Sequence, residues 1–335
     1  MKKENKTIIS IKGLKKTFKT KVTKPGMSGI FRNIFSPDYK YIKAVDNISL
    51  DIKKGELVSF IGPNGAGKST TLKMLSGILF PDSGKIKILG KDPSKKRKEL
   101  SYDIGTIFGQ KPQLWFHLPP IDSFNLFAKI YDIDQTIYKE RLDNLINLFE
   151  ISDIINQPVR KLSLGQRMRC EFVLALLHNP KILFLDEPTI GMDIIVKKTM
   201  RELIKKINEK EKTTIILTSH DIGDIENIST RLVIINHGEI VYDGDFKNIK
   251  QKYLSKKLLK ITTEDKIDEK DFKDLTVIKK SKYYIEFEIE THKFPLKKVI
   301  DFLFTKYKIT DIGINEMPIE DVIEEIYRDQ RWAHS

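Results

Sequence analysis

The sequence predicts an α/β domain that fills most of the chain, followed by a smaller α+β domain. Short apolar runs alternate with segments of helical spacing through the first two thirds of the sequence. A glycine-rich turn at residues 62–70 joins one apolar run to one helical segment. After about residue 245 the sequence pattern changes, and a charged connector leads into short segments in which apolar and polar residues alternate. We therefore expect a first domain over residues 1–245 and a second over 246–335.

Hydrophobic periodicity assigns the individual elements. Alternation of apolar and polar residues predicts half-buried strands, continuous apolar runs predict buried strands, and apolar spacing of three to four residues predicts helices. In the first domain the predicted strands are 7–11, 45–52, 57–61, 86–89, 104–108, 181–186, 213–219, 232–235 and 239–242, and the predicted helices are 121–131, 134–149, 163–178 and 194–209. In the second domain we expect strands at 258–262 and 283–289 and a closing helix at 319–327.

Composition excludes several classes of protein. The single cysteine, Cys170, rules out a disulfide scaffold and suits a reducing compartment. The sequence has no apolar run as long as a membrane span and no signal-peptide core at its polar N-terminus, so we expect a chain that is soluble by itself. The net charge of +13 is spread over lysines along the whole chain. Because no nucleic-acid-binding module accompanies this charge, we expect no nucleic-acid partner.

A phosphate-binding loop is predicted between the strand at 57–61 and the helix that follows it. The loop fits G-x-x-x-x-G-K-[ST] and consists of Gly62, Pro63, Asn64, Gly65, Ala66, Gly67, Lys68, Ser69 and Thr70. Glycines let backbone N–H groups close around an anion, and the helix N-terminus adds a partial positive charge. Lys68 is expected to reach the β- and γ-phosphates, and the Ser69 hydroxyl to bind Mg²⁺. The sequence therefore predicts a bound nucleoside triphosphate.

A pair of carboxylates, Asp186 and Glu187, ends the apolar strand at 181–186. An acidic pair in this position is by itself a weak signal, because many strands end in solvated acids. Together with the phosphate loop it indicates hydrolysis of the triphosphate. Asp186 is expected to hold Mg²⁺ through the hydration shell of the ion, and Glu187 to polarise the attacking water.

The segment Leu162-Ser163-Leu164-Gly165-Gln166-Arg167 places a serine and a glycine at a helix start, which forms a second anion site. This segment resembles the signature sequence of ATP-binding cassette (ABC) ATPases, and the other motifs follow in the order of that family. The resemblance implies ATP as the nucleotide, contacted by Ser163, Gly165 and Gln166. Position 164 is leucine where the family often has glycine. Since Ser163 and Gly165 are intact, we expect γ-phosphate binding to survive.

The resemblance implies roles for three further residues near the phosphates. Gln110 matches the glutamine that links the γ-phosphate site to the membrane partner, which implies a catalytic role and a contact with Mg²⁺. The segment Gly191-Met192-Asp193 resembles the loop that crosses the dimer interface, which implies that Asp193 contacts the nucleotide. His220, which follows the strand at 213–219, matches the switch histidine that senses the γ-phosphate.

The resemblance also implies an aromatic residue that stacks on adenine. Phe18 occupies the position that the family uses for this purpose, and Tyr39 and Tyr41 are alternatives. Residues 20–41 interrupt the strand pattern and are predicted to be an insertion that separates Phe18 from the next strand. This segment is rich in basic residues and contains Ile30, Phe31, Ile34 and Phe35 on one helical face. We expect it to contact a membrane surface or a membrane partner, the alternative being a solvated loop.

Family membership implies a P-loop NTPase fold of the ABC ATPase type, with a RecA-like core, an antiparallel β subdomain and a helical subdomain at about 111–178. The chain would then be an ATPase that dimerises head to tail, as a homodimer, with each nucleotide between the phosphate loop of one subunit and Ser163–Gly165 of the other. It would drive a separate transmembrane permease from the cytoplasmic face of the cell membrane. The domain at 246–335 would be regulatory or accessory.

A narrower resemblance concerns the direction of transport. Four segments resemble the ATPase component of ABC-2-type exporters, including multidrug and viologen exporters. They are Phe108–Trp115, Leu162–Cys170, the insertion at 20–41 and the closing segment Pro318–Val322. An importer ATPase is the first alternative, although importers often append a β-barrel domain. A non-transport ABC protein acting on DNA or ribosomes is the second, but this chain has neither a long coiled coil nor a second cassette.

Overall fold

The computed structural model describes residues 6–22, 38–109, 111–220, 223, 225, 228–229, 231–253, 256–273, 275–291, 293–316 and 319–328. The chain divides into two compact units, a first that ends at Gly244 and a second that begins at Asp245. Within these ranges of residues, no helix is both long and apolar enough to cross a membrane.

The first unit contains two sheets and the helices that connect their strands. Its strands are β1 (Thr7–Val22), β2 (Asp38–Lys53), β3 (Leu57–Ile61), β4 (Ser83–Ile88), β5 (Ile104–Phe108), β6 (Ile182–Asp186), β7 (Thr214–Ser219), β8 (Arg231–Asn236) and β9 (Glu239–Asp245). Its helices are α1 (Lys68–Leu75), α2 (Arg97–Ser101), α3 (Pro120–Ile130), α4 (Gln135–Phe149), α5 (Leu164–Leu176) and α6 (Ile194–Glu211), with a 3₁₀ turn at Val159–Lys161. The predicted α/β class is confirmed.

The larger sheet has the strand order β5-β6-β7-β3-β8-β9, and its first five strands are parallel. Every residue of β3 and β7 is buried. This burial explains the continuous apolar runs, because parallel strands are covered on both faces. The carboxyl ends of β3, β5, β6 and β7 meet at one edge of the sheet. That edge is where ligands bind in open α/β sheets, and the polar motifs of the sequence follow these same strands.

The smaller sheet has the order β2-β1-β4 and is antiparallel. It shares one hydrophobic core with the parallel sheet, formed by residues such as Ile9, Phe60 and Phe184. The predicted start of the insertion at residue 20 was wrong as a strand boundary, because β1 and β2 remain paired as far as Val22 and Asp38. Residues 20–22 and 38–43 are exposed on both faces of this ribbon, so they show no apolar alternation. Residues 23–37, including the predicted helix at Ile30–Phe35, lie outside the described residues.

Three helices of the first unit begin at side chains that cap them. Asp134 accepts hydrogen bonds from the backbone N–H groups of Thr136 and Ile137 at the start of α4. Ser163 caps α5, and Asp193 accepts from the N–H of Val196 at the start of α6. Caps of this kind satisfy N–H groups that have no partner within the helix, and each stabilises the helix by about 1 kcal/mol.

The second unit is an antiparallel sheet with helices. Its elements are α7 (Phe246–Tyr253), β10 (Lys256–Thr263), a 3₁₀ turn (Glu269–Phe272), β11 (Thr276–Lys280), β12 (Tyr284–Glu290), α8 (Leu296–Lys306), β13 (Ile309–Glu316) and α9 (Ile319–Arg328). The strand order is β11-β12-β10-β13, over a core that includes Leu259, Phe287 and Leu303. Periodicity missed β11, β13 and α8, and the charged connector expected after residue 245 contains a helix, α7. All five residues of β11 are exposed, and exposed Phe302 and Phe304 blur the apolar face of α8.

Candidate nucleotide-binding and hydrolysis site

The phosphate loop lies between β3 and α1 and is pressed against two backbone segments. A methyl group at Gly62 would stand 2.1 Å from the carbonyl oxygen of Ile235, and one at Gly67 would stand 2.2 Å from that of Ala44. Gly67 also has a φ of +107°, a backbone conformation that residues with a Cβ rarely adopt. The two glycines of the motif are therefore required by the neighbouring strands as well as by an anion.

Lys68 is the first residue of α1, and its side chain folds over the loop. Its Nζ donates hydrogen bonds of 2.6 Å to the carbonyl of Gly62 and 3.1 Å to that of Pro63. The residue is only 5% exposed, and this burial lowers its pKa, while the charges of Glu187 and Asp186 act in the opposite direction. A cation is thus held at the point where the loop would enclose an anion.

Asp186, at the end of β6, is the convergence point of two hydroxyl groups. Ser69 Oγ and Thr218 Oγ1 each donate a hydrogen bond of 2.7 Å to Asp186 Oδ1. Ser69 belongs to the phosphate-loop helix and Thr218 to β7, so the carboxylate links three elements. Ser69 and Asp186, each predicted to take part in a Mg²⁺ site, are thus in direct contact in the structure.

Glu187 follows directly and has an unusual backbone. Its φ is +52°, a left-handed conformation that a residue with a Cβ adopts at a cost of order 1 kcal/mol or more. Its N–H is held by Thr218 Oγ1 at 3.0 Å. Its Oε1 lies 3.2 Å from Nδ1 of His220, the predicted switch histidine. The structure thereby places the residue predicted to polarise the attacking water beside the residue predicted to sense the γ-phosphate.

Ser69, Asp186, Glu187 and His220 line a cleft of about 490 Å³ at the carboxyl edge of the parallel sheet. Among the described residues, the lining consists of Asn64, Ser69, Lys73, Ile78, Phe108, Gly109, Lys111, Asp186, Glu187, Ile190 and His220. Lys73 and Lys111 add two cations that the sequence prediction did not include. A cleft lined by both lysines and carboxylates suits a polyanion bound together with a divalent cation.

The donor set fits Mg²⁺. Ser69 and Asp186 offer hard oxygen ligands within the cleft. Across the described ranges, no group of three or more histidine, cysteine, aspartate and glutamate side chains is placed to hold a metal ion. An ion here would therefore take its remaining ligands from water and phosphate, which is how Mg²⁺ is commonly held.

The signature segment does not reach this cleft. Ser163 and Gln166 form a capping box, in which Gln166 N–H donates to Ser163 Oγ at 3.2 Å and Ser163 N–H donates to Gln166 Oε1 at 2.9 Å. A methyl group at Gly165 would stand 2.6 Å from Cγ1 of Val196 on α6. Neither these residues nor Asp193 are among the described residues that line the cleft. The structure thus separates the predicted ATP contacts into two groups.

The three aromatic candidates for adenine lie on the ribbon formed by β1 and β2. Phe18 pairs with Ile42, whereas Lys19 pairs with Tyr41 and Lys21 with Tyr39. Because side chains alternate between faces, Phe18 and the two tyrosines lie on opposite faces of the ribbon. Lys19 Nζ stands 3.8 Å from the centre of the Tyr39 ring, so that tyrosine already has a cationic partner. Adenine could therefore stack on Phe18 at one face of the ribbon or on the tyrosines at the other face, but not on both.

Some functional residues escaped the sequence prediction, and one predicted residue lies outside the described part of the chain. Gln110 falls between the described ranges, immediately after Gly109. Thr218 was missed because β7 also contains Thr214 and Ser219, so no local signal distinguishes it. Lys73 and Lys111, which line the cleft, were missed because lysines occur throughout this chain, so a single lysine does not indicate a binding site.

The fold and the cleft together define a P-loop nucleoside triphosphatase. A parallel sheet, a glycine-rich loop that leads into a helix, and a carboxylate on a neighbouring strand all meet at one edge.

Comparison with known proteins narrows this class. Residues 45–190 match the family model described as ABC transporter. The ABC transporter ATP-binding protein NatA of Bacillus subtilis is 33% identical over 224 residues, which cover 67% of this chain and 91% of NatA. The bacitracin transport ATP-binding protein BcrA of Bacillus licheniformis is 30% identical over 292 residues, with 85% of this chain and 91% of BcrA covered. The probable sulfate/thiosulfate import ATP-binding protein CysA of Chlorella vulgaris is 31% identical over 223 residues, with 67% and 93% covered.

Similarity to a solved structure supports the same family. A dimeric ATP-binding cassette in a post-hydrolysis state, bound to ADP and Pi, superposes with a TM-score of 0.57 at 26% identity, covering 71% of this chain and 98% of that one. The chain belongs to the ABC transporter family, and it is an ATP-binding and ATP-hydrolysing subunit that works with a transmembrane permease. The predicted family, fold class and ATPase activity are confirmed.

Proposed function

We propose that this chain is the ATPase subunit of an ABC-2-type exporter and that it works as a head-to-tail homodimer. The observation that carries the dimer is the separation of the two predicted groups of ATP contacts. The phosphate loop, Asp186, Glu187 and His220 gather at one cleft, while Ser163, Gly165 and Gln166 lie elsewhere on the same chain. A second copy of the chain can supply the missing group to the cleft.

The residues of the cleft have distinct proposed roles. Lys68 neutralises the β- and γ-phosphates, and the loop N–H groups cradle them. Ser69 and Asp186, with Gln110, hold Mg²⁺, which supplies charge neutralisation between the phosphates when it is bound. Glu187 accepts the proton of the attacking water as general base. The contact between Glu187 Oε1 and His220 Nδ1 orients that carboxylate and lets the histidine respond to the γ-phosphate.

The partner subunit is proposed to close over the nucleotide with its own Ser163, Gly165, Gln166 and Asp193. Ser163 already presents the N-terminus of α5, where N–H groups attract anions. Gly165 has no room for a side chain beside Val196, which keeps the helix start close to α6 and free of bulk. For adenine we propose Phe18, because it occupies the position at which the family places its stacking aromatic residue, and its side chain is exposed.

The dimer is tested by complementation between two inactive variants. Lys68→Ala disables the phosphate loop, and Ser163→Arg disables the signature segment. In a mixture, a dimer of one copy of each variant contains one intact composite site, so ATPase activity should return only on mixing. If each variant remains inactive in the mixture, although gel filtration shows that mixed dimers form, the nucleotide is not shared between subunits.

Export is supported by sequence resemblance, and the role of the second unit by the extent of one match. The sequence phrases around Phe108–Trp115 and Leu162–Cys170 resemble ABC-2-type exporters. The similarity to BcrA covers 85% of this chain, which exceeds the first unit and so continues into the second. CysA, named as an import protein, matches over a shorter share of 67%. The second unit, residues 246–335, is accordingly proposed to be a regulatory or accessory domain that this chain shares with BcrA at least in part.

Identification of the membrane partner tests the direction of transport and the proposed location on the cytoplasmic face of the cell membrane. The tagged chain is purified from membranes in mild detergent, and the proteins bound to it are identified by mass spectrometry. Recovery of an ABC-2-type permease supports the exporter. Recovery of an importer permease together with a solute-binding protein would overturn it. Failure of the chain to sediment with membranes that contain its permease would overturn the proposed location.

A further inference from the structure

A buried carboxylate on the signature helix α5 accepts hydrogen bonds from the chain segment that follows β5, at residues 113–114. Glu171 lies on α5, two turns beyond Ser163, and is only 4% exposed. Its Oε1 accepts hydrogen bonds from the N–H of Gln113 at 3.0 Å and of Leu114 at 3.2 Å, and its Oε2 accepts from Gln113 N–H at 3.1 Å. None of the nucleotide-binding motifs includes this residue.

The peptide that Glu171 holds follows β5 and Gln110. Lys111 N–H donates to the carbonyl of Phe108 at 2.8 Å, and the Gln113 side chain donates to the carbonyl of Thr106 at 2.6 Å. Further on, Trp115 N–H donates to Ser123 Oγ at 3.3 Å. Residues 111–115 are therefore fixed to β5 through Lys111 and Gln113, and to α5 by hydrogen bonds that all end on the carboxylate of Glu171.

The same contacts continue to the catalytic carboxylates. Phe108 stands beside Asp186 in the parallel ladder, and Gly109 N–H donates to the carbonyl of Asp186 at 2.9 Å. A methyl group at Gly109 would stand 2.6 Å from the carbonyl oxygen of Glu187. Gln110 is thus preceded in sequence by a residue packed on the catalytic strand and followed by a segment tied to α5.

A buried carboxylate at this position lowers the stability of the fold unless hydrogen bonds compensate for the loss of its hydration. Burial raises the pKa of Glu171, and the N–H groups of Leu114 and Gln113 and the charge of Arg167 oppose that effect. The surrounding positions of α5 are apolar, with Phe172 and Val173 fully buried. An apolar residue would pack there without desolvating a charge, but it would leave buried N–H groups without an acceptor.

We propose that Glu171 is a positioning residue for ATP turnover, which ties the segment at 111–115, directly after Gln110 in the sequence, to the signature helix. The inference rests on the proposed role of Gln110 in turnover. The signature helix would meet the nucleotide of the partner subunit, while Gln110 serves the nucleotide of its own subunit.

The test compares three variants of the full chain. Glu171→Leu removes all acceptors at nearly constant volume, Glu171→Gln keeps one oxygen that accepts from two N–H groups, and Glu140→Gln changes an exposed carboxylate on α4 as a control. The kcat per folded molecule should fall by about tenfold or more in Glu171→Leu and by less in Glu171→Gln, while the KM for ATP changes by less than about threefold. Amide hydrogen exchange at Gln113 and Leu114 should accelerate in the same order.

Contrary outcomes are distinct. If Glu171→Leu does not fold, Glu171→Gln carries the test, since its shape is retained. A wild-type kcat in Glu171→Gln together with faster exchange at Gln113 and Leu114 would overturn the positioning role. Gln110→Ala is measured alongside. If it keeps a wild-type kcat, the role of Gln110 fails and this inference with it. If it loses turnover while the Glu171 variants do not, only the inference about Glu171 is overturned.

Discussion

The hydroxyl of Ser69 donates a 2.7 Å hydrogen bond to Asp186 Oδ1, which joins the first turn of the phosphate-loop helix to the end of β6. The same oxygen accepts the hydroxyl of Thr218 from β7. Two neighbouring strands and the loop helix thus converge on one carboxylate oxygen. This arrangement places the ligands proposed for Mg²⁺ at the point where the loop opens toward the cleft.

Asp186→Asn should raise the Mg²⁺ concentration needed for half-maximal ATPase activity by about tenfold or more. The amide is neutral, so it attracts the cation and its water ligands less strongly than the carboxylate. Titration of ATPase rate with Mg²⁺ at fixed ATP measures the effect. Asp103→Asn is the control, because Asp103 pairs with Lys181 outside the cleft. Equal Mg²⁺ dependence in Asp186→Asn and wild type would contradict the assignment.

Lys68→Ala should weaken nucleotide binding itself, by about tenfold or more in Kd. The substitution removes the cation that lies within the loop, where its attraction for phosphate is least screened. Titration with a fluorescent ATP analogue measures the affinity. Lys85→Ala removes an exposed lysine of β4 and should bind as wild type does. An unchanged Kd for Lys68→Ala would show that the ammonium does not contact the nucleotide.

His220→Ala should separate binding from turnover. Its ring contacts Glu187 and is half exposed, so we expect the Kd for ATP to remain within about threefold of wild type while kcat falls by about tenfold or more. His117→Ala, an exposed histidine beyond the cleft lining, is the control for loss of an imidazole. Parallel losses of affinity and rate in His220→Ala would argue against a sensing role.

The sequence predicted the parts of the site that consecutive residues encode. The phosphate loop, the Asp186–Glu187 pair and the start of α5 at Ser163 all depend on local spacing, which periodicity and capping rules read directly. The link from Thr218 to Asp186 was not predictable in this way, since it joins residues that are distant along the chain. The bond from Glu171 to Gln113 is similar, because its only local sign is one acid within an apolar helix.

The β1–β2 ribbon shows a second limit of periodicity. Residues 20–22 and 38–43 are strands, yet water covers both of their faces, so no alternation marks them. The same holds for β11 at the edge of the second sheet. Strand pairing in these segments is dictated by the neighbouring strand and not by burial. Sequence reasoning therefore shortened or missed them while it found every buried strand of the parallel sheet.

A pH-dependent contribution to stability is expected from His178, which stacks on Tyr131 with ring centres 4.0 Å apart. Burial lowers the pKa of His178 from its usual 6.5 to about 4. Below pH 6.5 the unfolded chain takes up a proton that the folded protein does not, so stability falls as the pH drops toward 4. The separation of the two pKa values corresponds to roughly 3 kcal/mol.

His178→Phe tests this contribution, because it keeps a ring against Tyr131 and removes the titratable group. The difference in unfolding free energy between wild type and variant, measured by urea denaturation at several pH values, should shrink or reverse as the pH falls from 6.5 to 4. A difference that stays constant over this range would show that His178 does not resist protonation in the folded protein.

The central claim is that Glu187 is the general base of an ATP-dependent dimer. Its left-handed backbone and its contact with His220 hold the carboxylate at the cleft, next to Asp186. The measurement is made on Glu187→Gln with ATP and Mg²⁺, by gel filtration with light scattering and by steady-state ATPase assay. We predict a stable dimer that retains ATP, with turnover reduced by about a hundredfold or more, because the amide cannot accept the proton of water. A monomer that turns over ATP at the wild-type rate would contradict the account.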